Sequence, residues 1–205
     1  MFPLICLAEG LVAFCALAFE IVAARLLAPH VGLSTDIWTA IIAAFLLAMA
    51  LGNRIGGAVA AVGDARCMLR WAALATAAGG LAVAIAQPVI GAWDALMLAP
   101  NPTAFWRVVL FTMLPCIPAG ILFGVVTPLL MISVLTAAGG QGRVIGAVYA
   151  AGAAGSVAGV LAAQWVLLDG FGVRASLATI GLISIANAGL IAALAMRHRT
   201  GLAPA

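Results

Sequence analysis

The chain has 205 residues, 66% of them hydrophobic and 7% charged, with nine arginines, no lysine, six acids and a formal net charge of +3. A soluble chain carries about a quarter charged residues, so this composition excludes a soluble domain and describes a polytopic membrane protein. The arginines are too dispersed to track phosphates, which excludes nucleic acid as a partner and leaves the lipid bilayer.

Read in chain order against turn signals, the apolar runs predict an all-α bundle of six spans, approximately 3–28, 37–62, 69–97, 104–135, 144–168 and 174–196. Span one has no basic leader and carries Glu9 and Glu20 in its apolar run, so it is expected to be retained and not cleaved as a signal peptide. The two acids are eleven residues apart, which puts them on nearly one helix face about 16 Å apart along the axis. A carboxylate in hydrocarbon costs at least roughly 2.5 kcal/mol. Both acids should therefore face the bundle interior, either paired or protonated.

Arg25 is a poor mate for Glu20, because five residues turn a helix by about 140°. The mates expected from other spans are Asn53 and Arg54 on span two, Arg107 at the start of span four and the Tyr149 hydroxyl on span five. Two readings stay open: a buried ion pair that fixes helix register, or a site that takes a proton or a cation.

After span one, Pro29, Gly32 and the run Ser34-Thr35-Asp36 punctuate the chain, and Ser34 or Asp36 can cap span two. Asp64 is the expected cap of span three, and Thr103 that of span four. Trp38, Trp71, Trp93, Trp106 and Trp165 all fall near span ends, where indole favours the headgroup boundary.

Span four carries Pro115, Pro118 and Pro128, which predict a kink or break that either shapes a binding site or serves packing alone. Glycines four apart, Gly52 with Gly56, Gly120 with Gly124 and Gly155 with Gly159, are read as helix-packing positions. On span five two adjacent small rows, Ala147-Ala151-Gly155-Gly159-Ala163 and Gly146-Ala150-Ala154-Ala158-Ala162, are both expected to meet other backbones.

With both termini on one side, that side collects Arg54, Arg66, Arg70, Arg143, Arg197 and Arg199, against Arg25, Arg107 and Arg174 opposite. The positive-inside rule then predicts cytoplasmic termini, in a bacterial inner membrane. Residues 1–205 form a single membrane domain.

Cys6, Cys15, Cys67 and Cys116 fall singly and read as packing residues. His30 and His198 are expected to be solvated, so no metal site is predicted. No catalytic triad, phosphate loop or paired soluble carboxylates can be assembled, so neither a cofactor nor catalysis by this chain alone is expected.

Three segments together carry a resemblance: FEIVAARLLAPHVGLSTDIWTAIIAAFLLAMALGNRIGG, GVVTPLL and GRVIGAVYAAGAAGSVAGVLAAQWVLLDGFGVR. They resemble the membrane domain of the membrane-bound spermidine synthase-like proteins, through Glu20, Arg25, Gly32, Ser34 and Gly52, then Gly124 and Pro128, then Tyr149, Gly155, Gly159 and Gly172. Gly152 stands where that family usually has asparagine. The family's soluble aminopropyltransferase-like domain has no counterpart before Ala205, so the resemblance implies a membrane fold and a link to polyamine chemistry without the enzymatic activity.

That membrane domain is in turn similar to half of a major facilitator transporter, and GNRIGGAVAAVGDAR, residues 52–66, resembles the loop between helices two and three of that superfamily. Two functions follow as expectations. The first is a transporter-like module, acting as a homodimer or with a partner, that handles a small cationic or polar solute with proton coupling through the buried glutamates. The second is a non-transporting anchor or subunit for a separately encoded enzyme or redox protein.

Overall fold

In the computed structural model the helices are α1 (Phe2–Val31), α2 (Thr35–Ala60), α3 (Ala65–Ala84), α4 (Ala86–Leu96), α5 (Ala104–Leu135), α6 (Gln141–Ala162) and α7 (Asp169–Arg197), with a π-helical stretch at Ala163–Leu168. The structure describes residues 1–32, 34–96, 104–135 and 141–197, with side chains left out at 96 and 104–108. The expected cap Thr103, the tail residues His198 and Arg199 and the side chains of Trp106 and Arg107 lie outside the described residues. Every described regular element is helical. Five helical stretches are long and apolar enough to cross a membrane, and the last of them is the 57-residue run Gln141–Arg197.

Two capping residues are where the sequence places them. Ser34 Oγ accepts from the Ile37 amide at 3.3 Å, and Asp64 Oδ1 accepts from the Cys67 amide at 2.9 Å. Asp64→Ala is expected to cost about 1 kcal/mol, read as a fall in the thermal midpoint of the purified protein. Asp64→Asn, which keeps the acceptor, should restore most of that loss.

The expected third span, 69–97, is occupied by two helices, α3 and α4, with a one-residue interruption at Ile85, where φ is −92° and ψ 0°. Pro88 is the physical cause: it has no N–H for the Ala84 carbonyl, and its ring crowds that carbonyl. α4, with 11 residues, is too short to cross a bilayer by itself. By contrast α5 stays helical from 104 to 135 through all three prolines, so no break occurs there.

His30 is also corrected. α1 continues through Pro29 to Val31 and carries the imidazole into the bundle, where Nδ1 lies 3.2 Å from Asp94 Oδ2 and the ring stacks on Phe111 at 5.3 Å.

Contacts fix the helix directions. Thr127 meets Glu9, and Cys116 lies within electrostatic reach of Glu20, so α5 runs antiparallel to α1. Gly155 and Gly159 of α6 meet Gly10 and Phe14, so α6 runs parallel to α1. Asn187 and Ile180 of α7 meet Ala8 and Cys15, so α7 is antiparallel. The chain therefore reverses between α6 and α7. Gly172, with φ 72° and ψ 176°, supplies the turn in a backbone region that side chains disfavour.

Backbone proximity holds the bundle together, as expected where lipid is as apolar as the helix surfaces. A Cβ at Gly52 would overlap the Ile121 carbonyl, one at Gly56 the Val125 carbonyl, and one at Gly120 would lie 2.7 Å from Ala48 Cβ. At Gly124 it would meet the Met49 carbonyl oxygen at 2.5 Å. These four glycines bring α2 and α5 together as parallel neighbours.

On α6 one small row packs and the other does not. Gly155, Gly159 and Ala163 lie against α1, whereas Gly146, Ala150, Ala154 and Ala158 are exposed. Both rows were expected to be covered. The difference arises because α6 sits at the edge of the bundle, with α1 on one side of it.

Candidate functional site

α1 positions both acids. Its buried residues occupy most of its circumference, since α5, α6 and α7 all pack on it, and the face holding Glu9 and Glu20 looks toward α5. Thr127 and Cys116 are eleven residues apart on that antiparallel helix, matching the spacing of the two glutamates.

Glu9 is 5% exposed and accepts a 2.8 Å hydrogen bond at Oε1 from the Thr127 hydroxyl. Its other oxygen, Oε2, is buried and has no hydrogen-bond partner among the described residues. A buried carboxylate oxygen in that state is costly when the group is ionised.

Beside Glu9 is a cavity of about 480 Å³, within the range of small-molecule sites. Its polar wall consists of Glu9, Asn53, Thr127, Tyr149 and Ser156, and apolar wall residues include Val12, Met49 and Met131. Pro128 also lines it. α1 and α5 form the back of this space, and exposed Asn53 on α2 and Tyr149 on α6 stand at its mouth.

Gly152 packs beside the carboxylate. A Cβ there would lie 3.4 Å from Glu9 Oε1 and 3.6 Å from its Cγ, so a longer side chain would extend into the space around the acid. One residue back along α1, the Ala8 carbonyl accepts a 2.9 Å bond from Asn187 Nδ2, which braces α7 beside the site.

The structure thus gathers Glu9, Asn53 and Tyr149 from the sequence-derived candidates and leaves the others apart. Glu20 is buried toward Cys116 and does not line this cavity. Arg54 is exposed and likewise outside the lining. Among the described residues no ion pair joins Glu20 to Arg25. Arg25 instead lines a separate recess with Ser34, Thr35, Trp38 and Gln164.

Sequence reasoning missed Thr127 and Ser156. Each is a small polar residue on a largely apolar helix, and that feature was the available signal. No protein-family model, curated protein or solved structure matches the chain.

Proposed function

We propose that the chain is a transporter-like membrane module whose Glu9 cavity receives a small cationic or polar solute, coupled to a proton on the carboxyl group. The carrying observation is the buried, unpartnered Glu9 Oε2 in the wall of a solute-sized cavity. A bundle of six crossings belongs to the same proposal: α1, α2, α3 with α4, α5, α6 and α7, alternating in direction. α4 continues α3 through the Ile85-to-Leu81 and Val89-to-Ile85 backbone bonds. Bending of α5 at its prolines belongs to the same proposal, since Pro128 already shapes the cavity wall.

The alternating directions put Arg54, Arg66, Arg70, Arg143 and Arg197 at the end of the bundle where α1 begins. This supports cytoplasmic termini and a bacterial inner-membrane location. Glu9 lies only about 10 Å from the start of α1, so the carboxyl group sits nearer that same side. The resemblance to the membrane part of spermidine synthase-like proteins, and through it to half of a major facilitator transporter, belongs to this proposal on its sequence motifs.

Association with a second copy of the chain or another membrane partner belongs to the same proposal. The exposed row Gly146-Ala150-Ala154-Ala158 supports close approach by a partner helix. That row also favours the second reading, a non-transporting anchor for a separately encoded enzyme or redox protein.

The readings divide on whether water reaches the cavity. With the four cysteines replaced by alanine, Ser156→Cys should react with a membrane-impermeant maleimide in inside-out vesicles and stay unlabelled in intact cells. Labelling from neither side would overturn the transporter reading in favour of the anchor. Labelling only in intact cells would overturn the orientation.

A further inference from the structure

The Glu9 cavity has an uneven charge balance. Of its lining residues Glu9 is the one acid, and none is arginine, lysine or histidine. The titratable groups facing Glu9 are Cys6 on its own helix and Tyr149 on α6. α2 contributes Asn53, α5 contributes Thr127, and α7 contributes Asn187 through the Ala8 carbonyl. None of these supplies a positive charge.

Among the described residues, an ionised Glu9 therefore has no cation in the cavity lining to offset its burial. It can be neutralised by a proton or by a cation that enters the cavity. With Oε1 engaged by Thr127, Oε2 is the buried oxygen left without a hydrogen bond, so either would bond there.

The walls distinguish between kinds of cation. A bare inorganic ion needs six or more oxygens close around it if it resembles calcium, and this cavity is far larger than an ion and largely apolar in lining. An alkylammonium places its N–H donors on Oε2 and its hydrocarbon against Val12, Ala16, Leu17, Met49 and Met131. The Tyr149 ring can add a cation–π contact at the mouth. A second ammonium on the same molecule would find no counter-charge there.

We infer that the Glu9 cavity binds a singly charged organic ammonium with a compact hydrocarbon body, and that this cation and a proton exclude each other at Oε2. Binding to the protonated site releases one proton to water, as the ammonium ion forms its ion pair with the carboxylate. The inference rests on the cavity being a solute site. It narrows the small cationic or polar solute of that reading to one chemical class.

The test uses the full chain in nanodiscs, titrated calorimetrically with cyclohexylammonium, trans-1,4-cyclohexanediammonium, cyclohexanol and sodium ion. A pH indicator in weak buffer reads proton release. Cyclohexylammonium should bind with proton release and weaken as pH falls. The dication should bind at least roughly tenfold more weakly, about 1.4 kcal/mol, and cyclohexanol and sodium should not bind.

Glu9→Gln should weaken ammonium binding by of order a hundredfold while keeping a monodisperse protein. If that variant fails to fold, Ala153→Leu, which fills the cavity from α6, should abolish binding instead. Equal or tighter binding of the dication or sodium, binding without proton release, or binding that neither variant weakens would overturn the inference. Water labelling at position 156 with no ammonium binding would sink this inference alone and leave the solute-site reading standing.

Discussion

Gly155→Leu is expected to abolish stable assembly of the bundle, and Gly146→Leu, nine residues earlier on the same helix, to leave the monomer fold intact. A Cβ at 155 would overlap the Gly10 carbonyl oxygen and lie 2.7 Å from its carbon and 2.8 Å from Gly10 Cα. All three are backbone atoms, so no flexible side chain can move aside and α1 must separate from α6. Overpacking costs about 1–3 kcal/mol and more where, as here, backbone must move, a large share of a domain's net stability.

At Gly146 nothing lies within 4 Å, so the same substitution meets open space. Both changes gain the same intrinsic helix preference of about 1 kcal/mol, so their difference isolates the helix contact. The comparison is read as monodisperse yield in mild detergent and as unfolding of the reconstituted protein in increasing SDS. Equal behaviour of the two variants would mean that α1 and α6 do not approach closely. Gly52→Leu should follow Gly155→Leu, because its Cβ would overlap the Ile121 backbone between α2 and α5.

Much of this bundle is legible in the sequence, for reasons that also explain what is not. The bounds expected for span four, 104–135, coincide with those of α5, since turn residues flank a long apolar run. The interruption at Ile85 escapes hydropathy because residues 81–90, Gln87 apart, remain apolar across it; the backbone deficit at Pro88 is the signal for it. Likewise the π-helical stretch 163–168 has no compositional marker. The reversal at Gly172 is visible as an interruption, but its direction comes from which faces of α1 the two flanking helices occupy.

The site follows the same division. Helical spacing shows that Glu9 and Glu20 share a face, and both do look toward α5. Spacing within α1 cannot say which helix will lie opposite, and Thr127 is 118 positions away. Asn53 and Arg54 are adjacent, so they point about 100° apart. That rotation places the amide at the cavity and leaves the guanidinium outside it. The arginine carried the stronger chemical signal, and the amide occupies the site.

Glu9 and Glu20 should therefore separate functionally despite their common face. Glu9→Gln keeps the size of the side chain and can still accept from Thr127, but it cannot form an ion pair at the second position. Loss of a desolvated charge pair costs about 3 kcal/mol, so solute affinity should fall by of order a hundredfold with assembly retained. Thr127→Val removes the one donor to Oε1 and should cost about 1–3 kcal/mol in stability.

Glu20→Gln replaces a buried acid near Cys116, outside the cavity lining, with a neutral group of the same shape. It should leave solute-driven proton movement in proteoliposomes unchanged and leave stability equal or higher, because no charge must then be kept out of water. The measurement is cyclohexylammonium-driven proton flux for the three variants at matched protein density. If Glu20→Gln stops the flux while Glu9→Gln preserves it, the coupling acid lies in the other half of α1 and the cavity beside Glu9 serves packing. If only Glu9→Gln stops it, the two acids have divided their work: one holds a ligand and a proton in turn, and the other is a buried group whose charge the mechanism does not use.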